Sequence, residues 1–367
     1  MTQALDALFT PYTLNKLTLN NRIVMAPMTR EFSPNAIPGD DVAGYYRRRA
    51  EGGTGLIITE GTTINDPVAT MGTSIPAFHG EQALAGWKKV ADEVHQAGGR
   101  IFPQLWHVGT AREPQKTNNP ELPSAGPSGL IAGGKKISEP MTVEHIEQLI
   151  ESYATAAADA QRLGFDGVEI HGAHGYLIDQ FFWEGTNQRS DSWGGSMENR
   201  SRFAVEIIKA VRAATGPDFP VVLRYSQWKQ QDFEAKLATS PQLLEDFLSP
   251  LADAGVDGFH CSTRRYWEPE FEGSDLNLAG WTKKLTGKTA ITVGSVGLDS
   301  DFIGAFMQQG ADNRSIDDLI SRLENNEFDL IAVGRALLQD PQWANKIQQG
   351  RLDEVSDFSP EALASLS

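Results

Sequence analysis

The stretch Gly167-Val168-Glu169-Ile170-His171-Gly172-Ala173-His174-Gly175-Tyr176 opens as an apolar run with β-branched residues and ends in two histidines and a tyrosine. The histidines are three residues apart and the tyrosine follows two residues later, so the three side chains could converge on one substrate atom. The intervening glycines let the backbone turn sharply and let a planar group come close. The stretch therefore predicts a buried strand whose carboxyl end carries a polar site.

Seven further apolar runs surround this one, and most of them are followed by a helical pattern. With the opening stretch as the fourth strand, the other strands are predicted at 23–28, 56–60, 100–106, 221–224, 258–262, 290–294 and 330–334. Helices are predicted at 40–51, 81–97, 142–163, 197–215, 241–254, 299–309, 316–325 and 341–349. Near-continuous apolar strands that alternate with helices indicate a covered parallel sheet.

Eight such strands in 367 residues favour an α/β fold with a single (β/α)₈ TIM barrel. An open doubly wound sheet is the alternative, but no G-x-G-x-x-G follows the first strand, so its phosphate site would be missing. We expect a single domain spanning 1–367, with a short N-terminal hairpin in an extended ribbon at 8–20 and a turn at Asn20-Asn21. Long loops at 108–140 and 264–280 follow strands three and six, and the acidic tail at 351–367 is expected to be peripheral.

Composition limits the partners and the compartment. The net charge of −16 argues against nucleic acid or an anionic membrane as a partner. The single cysteine, Cys261, cannot form an internal disulfide, which fits a reducing cytosol, so we expect a cytoplasmic protein. The first six residues lack the pattern of a signal peptide, and no apolar stretch is long enough to span a bilayer.

Polar side chains follow the predicted strands where a barrel places its active site, at the carboxyl ends. These segments are Met28-Thr29-Arg30, Glu60-Gly61, Gln104-Leu105-Trp106-His107, His171 to Tyr176, Arg224, Gly294-Ser295 and Gly334-Arg335. Barrels commonly hold a phosphate after strands seven and eight, where Arg335 supplies a positive charge that the acidic chain otherwise lacks. The ends of strands seven and eight therefore predict a phosphate site.

The histidines leave two further interpretations open. His107, His171 and His174 could bind a metal, since neutral imidazole is a common ligand, and the chain would then be a non-redox hydrolase. No acidic or cysteine ligand stands at a fixed spacing to complete that site. The pair could also be a structural part of the core.

Five blocks of the sequence, in order over roughly residues 8–348, resemble the Old Yellow Enzyme family of FMN-dependent ene-reductases. The blocks are Asn21-Arg22-Ile23-Val24-Met25-Ala26-Pro27-Met28-Thr29-Arg30, Pro103-Gln104-Leu105-Trp106-His107, His171-Gly172-Ala173-His174-Gly175-Tyr176-Leu177, Gln188-Arg189-Ser190-Asp191-Ser192-Trp193-Gly194-Gly195-Ser196-Met197-Glu198-Asn199-Arg200 and Val333-Gly334-Arg335-Ala336-Leu337-Leu338. Threonine at position 29, where another branch has cysteine, makes the chain resemble the threonine type. The branch with an iron–sulfur cluster needs several cysteines and is excluded by the single Cys261.

The resemblance implies FMN as the cofactor. Thr29 would contact the flavin O4, Gln104 its pyrimidine edge, and Arg224 the region of N1 and O2, where it would stabilise the anionic reduced ring. The complete set implied to bind FMN is Pro27, Met28, Thr29, Gly61, Gln104, Arg224, Gly294, Ser295, Gly334 and Arg335, the last four at the phosphate.

The resemblance also implies the substrate residues. His171 and His174 would donate hydrogen bonds to the carbonyl oxygen of an activated alkene, and Tyr176 would give a proton to its α carbon. Trp106 would shape the pocket, and Thr29 would lie close to the substrate as well. NADPH or NADH would reduce the flavin in the same pocket, and the sequence leaves the number of subunits open.

Other outcomes remain open within this interpretation. The same flavin could reduce nitrate esters or nitroaromatic compounds, or be held without turnover. The insertion at 311–327 is longer than the family pattern, and the tail at 351–367 has no aromatic residue except Phe358. Some relatives place a tyrosine from near the C-terminus over the substrate, and the tail at 351–367 contains no tyrosine.

Overall fold

The protein is described by a computed structural model that covers residues 5–307 and 309–367. Residues 1–4, which belong to the N-terminal segment considered for a signal peptide, and residue 308 of the helix predicted at 299–309 lie outside the described residues. Within the described ranges, no helix is long and apolar enough to cross a membrane.

In the part of the chain that the structure describes, ten strands form a small hairpin and a closed barrel. They are β1 (Tyr12–Leu14), β2 (Leu17–Leu19), β3 (Ile23–Met25), β4 (Leu56–Thr63), β5 (Ile101–Trp106), β6 (Val168–His174), β7 (Val221–Lys229), β8 (Gly258–Ser262), β9 (Thr289–Val293) and β10 (Leu330–Val333). The parallel strands β3 to β10 pair in sequence order, and β10 closes the barrel against β3. The predicted α/β barrel with an N-terminal hairpin is confirmed.

Helices cover the outside of the barrel. They are α1 (Asp40–Glu51), α2 (Glu81–Gln96), α3 (Val143–Leu163), α4 (Leu177–Phe182), α5 (Met197–Thr215), α6 (Pro241–Asp253), α7 (Leu278–Thr286), α8 (Phe302–Phe306), α9 (Asp317–Glu324), α10 (Arg335–Gln339) and α11 (Trp343–Gln348). Short 3₁₀ turns lie at Asp6–Phe9, Pro34–Ala36, Gly109–Ala111, Pro114–Lys116, Leu352–Glu354 and Pro360–Ala364.

Side-chain caps explain why several predicted helix boundaries agree closely with the structure. The hydroxyl of Thr142 accepts a hydrogen bond from His145 N at the start of α3, and that of Ser196 accepts one from Asn199 N at the start of α5. Each cap satisfies a backbone donor that the first helical turn leaves unpaired. Gly164 ends α3 with φ of 90°, a left-handed conformation that favours glycine.

Three helical segments were missed or wrongly divided. All six residues of α4 are buried, including Asp179 and Gln180, so the helix has no exposed polar face opposite an apolar one to indicate it. The first residues of α7 were assigned to the predicted loop at 264–280, although Asn277 caps that helix. The helix predicted at 341–349 is confirmed as α11, but α10, which precedes it and ends before Asp340, was missed.

The hairpin closes the amino end of the barrel. Its turn lies at Asn15, which has φ of 55°, inside the ribbon predicted at 8–20. The chain also bends at Asn20-Asn21, where a turn was predicted, before it enters β3. Residues 8 and 9, predicted as extended at the start of the ribbon, belong to the 3₁₀ turn at Asp6–Phe9. Leu14 and Leu19 of the hairpin pack into the same buried cluster as Val24 and other inward-facing strand residues, which plugs this end.

The tail is packed against the body of the protein, in contrast to the expected peripheral segment. Arg30 donates hydrogen bonds to three carbonyls of this tail, those of Ala362, Leu363 and Ser365, at 3.3, 3.1 and 2.8 Å. Phe358 is buried. Sequence patterning gave no sign of these contacts because they involve main-chain acceptors.

Candidate active site

A cavity of about 290 Å³ opens at the carboxyl ends of the barrel strands. The fourteen residues that the sequence assigned to a flavin or a substrate all line it: Pro27, Met28, Thr29, Gly61, Gln104, Trp106, His171, His174, Tyr176, Arg224, Gly294, Ser295, Gly334 and Arg335. The strands that carry them are far apart in the sequence, so it is closure of the barrel that brings them together. Their roles toward ligands stay predictions at this point.

A bulge in β6 places the side chains of both histidines in the wall of the same cavity. The register between β6 and β7 shifts between Gly172 and His174, and His174 has φ of 66°. The hydroxyl of Ser226 accepts a hydrogen bond from His174 N at 2.9 Å and holds this strained backbone in place. As a result the imidazole rings of His171 and His174 lie 5.2 Å apart and perpendicular to each other.

His171 is positioned to donate a hydrogen bond from its outer nitrogen. Its Nδ1 accepts a hydrogen bond from Ala173 N at 3.3 Å, which assigns the proton of the neutral ring to Nε2. Burial, and then the positive charge of Arg224, lower the pKa of His171 well below its ordinary value. The ring is therefore neutral at pH 7 and presents an N–H group.

His174 is held by a hydroxyl on β8. Its Nε2 lies 2.7 Å from Ser262 Oγ, and Arg224 donates to the same oxygen at 3.4 Å. Among the described residues His174 Nε2 is the one acceptor that the Ser262 hydroxyl contacts, so we assign the hydroxyl proton to it, which leaves the ring proton on Nδ1. Burial lowers the pKa of His174 well below its ordinary value, and Trp228 stacks on the ring at 4.5 Å.

Tyr176 stands at the N-terminus of α4 beside the first histidine. Its ring meets His171 and Trp106 edge-on, with centroids 5.1 and 4.9 Å away. The phenol hydroxyl donates to Gln230 Oε1 at 3.3 Å, and burial raises the pKa of Tyr176 to about 12. The phenol keeps its proton over the physiological pH range and can act as an acid.

Arg224 is a buried cation with unused hydrogen-bonding capacity. Its Nε has no hydrogen-bond partner among the described residues, and its side chain is only 7% exposed. Burial lowers the pKa of Arg224, and the negative charge of Glu169 offsets part of that effect. A buried guanidinium with a free N–H fits a ligand that offers an oxygen or nitrogen acceptor and accumulates negative charge.

The other end of the cavity fits a phosphate. Gly294 and Ser295 have φ of 141° and 52°, and a Cβ on Gly294 would lie 2.7 Å from Thr263 O, so the tight turn requires glycine. Arg335 opens α10 beside this turn, and its Nη1 is buried without a hydrogen-bond partner in the described ranges. Backbone N–H groups and an unsatisfied guanidinium match the donors that phosphate oxygens require.

Glu60 fixes the loop that carries Thr29. Its carboxylate accepts hydrogen bonds from Arg30 N at 2.8 Å and Glu31 N at 3.2 Å. Burial raises the pKa of Glu60 to about 7, and the two backbone donors oppose that rise. Thr29 is held on the cavity wall by this loop.

Sequence reasoning missed several cavity residues. Trp228 and Gln230 were missed because β7 was predicted to end at Arg224, whereas the strand runs on to Lys229. The apolar Tyr225 and Trp228 beyond that point were a signal for the longer strand. Ser262 ends a correctly bounded strand, and Leu363 of the tail also lines the cavity.

The metal-site alternative does not match the geometry. His107 accepts a hydrogen bond from Gly109 N on its Nδ1, and its Nε2 faces Asp66 at 3.4 Å, so it does not join His171 and His174. Across residues 5–307 and 309–367, no group of three or more His, Cys, Asp or Glu side chains could hold a metal ion. The three histidines proposed for a hydrolase are therefore not brought together.

Comparisons with known proteins agree with the flavin interpretation. The model of the NADH:flavin oxidoreductase / NADH oxidase family matches residues 7–354. An NADH oxidase of Thermoanaerobacter brockii is 33% identical over 95% of this chain, which spans only 52% of that protein's length. The 12-oxophytodienoate reductase 7 of Oryza sativa subsp. japonica is 31% identical, with 93% of this chain and 87% of that protein covered.

Two solved structures have the same fold. Morphinone reductase in complex with tetrahydroNAD superposes with a TM-score of 0.81 at 30% identity, covering 97% of this chain and 93% of that chain. An old yellow enzyme homologue from Zymomonas mobilis gives a TM-score of 0.80 at 26% identity, covering 97% and 96% of the two chains. The similarity therefore extends over nearly the whole barrel.

Proposed function

This chain belongs to the NADH:flavin oxidoreductase / NADH oxidase family, the family of the Old Yellow Enzymes, and on that premise we propose which residues carry its reaction. It is an FMN-dependent oxidoreductase of the ene-reductase type that uses a reduced nicotinamide nucleotide. We propose that its substrates are small α,β-unsaturated carbonyl or nitro compounds. The observation that carries this proposal is the joint presence of two neutral histidines and a protonated tyrosine in one cavity with Arg224.

The donor groups of the cavity suit the parts of FMN. Gln104 and Arg224 would bind the polar edge of the ring, with Thr29 near its O4. Gly294, Ser295, Gly334 and Arg335 would bind the phosphate. When bound, FMN supplies the hydride that an alkene reduction requires.

The histidines would bind and polarise the substrate. His171 Nε2–H and His174 Nδ1–H would donate hydrogen bonds to one carbonyl or nitro oxygen. Both rings are neutral, so they act as hydrogen-bond donors that carry no positive charge. The oxygen gains negative charge as a hydride reaches the β carbon, and fixed donors stabilise that charge in a buried site. Trp106 would limit the width of the alkene beside them.

Tyr176 would complete the reaction by protonating the α carbon. Its hydroxyl carries the proton because burial raises its pKa to about 12. A substrate that lies on the histidines also meets the Tyr176 ring, which stands edge-on to His171 at 5.1 Å. A positioned acid of this kind contributes about 10²–10⁴-fold to a rate.

NADPH or NADH would use the same cavity in turn. The structure of morphinone reductase contains a tetrahydroNAD molecule, which supports a nicotinamide site in the shared fold. A nicotinamide amide group offers a carbonyl oxygen to the same two histidines. One cavity that serves both substrates predicts ping-pong kinetics.

The experiment is an anaerobic product assay. The FMN-loaded protein is incubated with NADPH and either 2-cyclohexenone, a maleimide, a nitroalkene, a nitrate ester or a nitroaromatic compound. We expect one saturated product molecule for each NADPH consumed with the alkenes. Turnover of nitrate esters or nitroaromatics with no saturated product from any alkene would instead favour the alternative reductase.

A further inference from the structure

A buried carboxylate lies directly beneath the proposed flavin site. Glu169 on β6 is fully buried, and its position pairs with Gln104 on β5. One carboxylate oxygen accepts a hydrogen bond from Gln104 Nε2 at 2.8 Å, and the other lies 2.7 Å from His260 Nδ1. Glu169 does not line the cavity itself and reaches it only through neighbouring side chains.

The contact with Glu169 fixes the amide of Gln104. A carboxylate offers only acceptors, so the NH₂ group of Gln104 must face Glu169 and its Oε1 must face the other way. Oε1 receives no hydrogen bond from the described residues, and Gln104 lines the cavity. The cavity is thereby given an acceptor that requires an N–H donor, and the pyrimidine ring of oxidised FMN has one such group, N3–H.

His260 fixes the carboxylate in turn. Burial lowers the pKa of His260, so the ring is neutral and donates to Glu169 from Nδ1. Both oxygens of Glu169 are then occupied, and the carboxylate has a single orientation. The chain of contacts from His260 through Glu169 to Gln104 crosses the barrel interior from β8 to β5.

Glu169 also acts on the charge of the site. Burial lowers the pKa of the Arg224 guanidinium, and the negative charge of Glu169 opposes that effect. Charges that are buried in a protein interact more strongly than charges in water. The negative charge of Glu169 therefore partly neutralises the positive charge that Arg224 offers to the flavin ring.

We propose that Glu169 is a positioning residue of the flavin site, which holds Gln104 Oε1 toward N3–H and makes bound FMN harder to reduce. The inference rests on the proposed placement of FMN. Glu169 would disfavour reduction because a buried anion opposes the negative charge that the ring gains when it is reduced.

The test uses the FMN-loaded Glu169→Gln variant and its reduction potential, measured by equilibration with a reference dye. Removal of the negative charge should raise the ratio of reduced to oxidised FMN at a fixed ambient potential by about ten- to hundredfold. For a two-electron couple this equals a rise of about 30 to 60 mV. Glu169→Asp, which keeps the charge, should stay within about threefold of the wild-type ratio.

Asp329→Asn is the matched control. Asp329 is another buried carboxylate with both oxygens occupied, by Ala290 N and Lys283 Nζ, but it precedes β10 at the opposite end of the barrel. Its replacement should leave the FMN potential unchanged. A Glu169→Gln potential equal to that of the wild type and of this control would overturn the inference.

A second measurement needs no variant. FMN methylated at N3 cannot donate to Gln104 Oε1, so the wild-type apoprotein should bind it at least tenfold more weakly than FMN, as read from flavin fluorescence. Equal affinities would overturn the orientation of Gln104. Failure of the wild-type protein to take up FMN at all would overturn the proposed function as well, whereas the other negative results overturn this inference alone.

Discussion

The phenol ring of Tyr176 packs edge-on against the indole of Trp106, with centroids 4.9 Å apart and planes at 82°. The hydroxyl is held by Gln230 at the far end of the ring. Packing from the side and a hydrogen bond at the tip leave the phenol in one orientation. This arrangement suits an acid that must meet one face of a substrate, and it makes the role of Tyr176 testable without disturbing the fold.

Tyr176→Phe should slow the reaction with alkene and spare the reaction with NADPH. The ring contacts stay, and only the proton is lost, so reoxidation by 2-cyclohexenone should slow by about 10²–10⁴-fold while reduction of FMN changes by less than about threefold. Stopped-flow absorbance separates the two steps. Tyr153→Phe, which removes another buried phenol hydroxyl on the outer helix α3, is the control. An equal loss in both steps would count against Tyr176 as the proton donor.

Arg335→Ala should weaken the binding of FMN but not of riboflavin. Arg335 is half-buried at the proposed phosphate end, its Nη1 is buried and unsatisfied, and riboflavin lacks the phosphate that it would bind. We expect the FMN dissociation constant to rise about tenfold to a hundredfold, as for a lost charge-assisted hydrogen bond, while riboflavin binding changes by less than about twofold. Fluorescence titration measures both. Arg351→Ala, in an exposed ion pair, is the matched control; parallel loss of both ligands would contradict a phosphate role.

Glu60→Gln should change the pH dependence of stability. Burial raises the folded-state pKa of Glu60 to about 7, above its value in an unfolded chain, so its contribution is fully present below about pH 4.5 and is lost as the pH rises through 7. Glutamine keeps an acceptor for Arg30 N but cannot ionise. The variant should therefore gain stability relative to wild type, by up to roughly 3 kcal/mol between pH 5 and pH 8.

Urea unfolding of both proteins at the two pH values measures this difference. Glu147→Gln, on the exposed side of α3, serves as the control and should show the same stability difference from wild type at both pH values. If the stability difference between Glu60→Gln and wild type were likewise independent of pH, it would contradict a raised pKa of Glu60 in the folded protein.

Leu363→Ala should alter substrate affinity without affecting FMN. The side chain lines the cavity although it is 38% exposed, and Arg30 holds its carbonyl at 3.1 Å. Loss of this apolar contact should raise the KM of a small cyclic enone by about five- to tenfold. This is the lower end of the about 1–3 kcal/mol that a methylene group in a pocket is worth, because Leu363 is partly exposed. Leu352→Ala, 49% exposed on the same tail, should not change KM. Equal KM values would place Leu363 outside the substrate region.

The parts of the fold that depend on local chemistry were predictable from the sequence. The bounds of α1 and α5 agree with the predicted ranges, because glycines flank α1 on both sides and the Ser196 cap and Gly216 bound α5. The carboxyl ends of the strands were also recognisable, since glycines and polar residues interrupt apolar runs there. These ends carry every side chain that the sequence assigned to the cavity.

Features that depend on tertiary contacts were not predictable. β7 continues past Arg224 because its polar residues are satisfied inside the barrel mouth, as where Gln227 bonds Ala238 and Glu270. The tail reaches the cavity because Arg30 bonds carbonyls more than 300 residues later in the chain. Every residue type has a main-chain carbonyl acceptor, so no pattern of side chains in the sequence predicts such a contact.

The most direct test of the central claim is a double-mixing experiment without oxygen. The FMN-loaded protein is first mixed with one equivalent of NADPH, and then with excess 2-cyclohexenone, while flavin absorbance is followed. The account predicts that the yellow colour bleaches in the first step and returns in the second, and that Tyr176→Phe bleaches normally but recovers far more slowly. A flavin that bleaches and is not reoxidised by any alkene would contradict the proposed reaction.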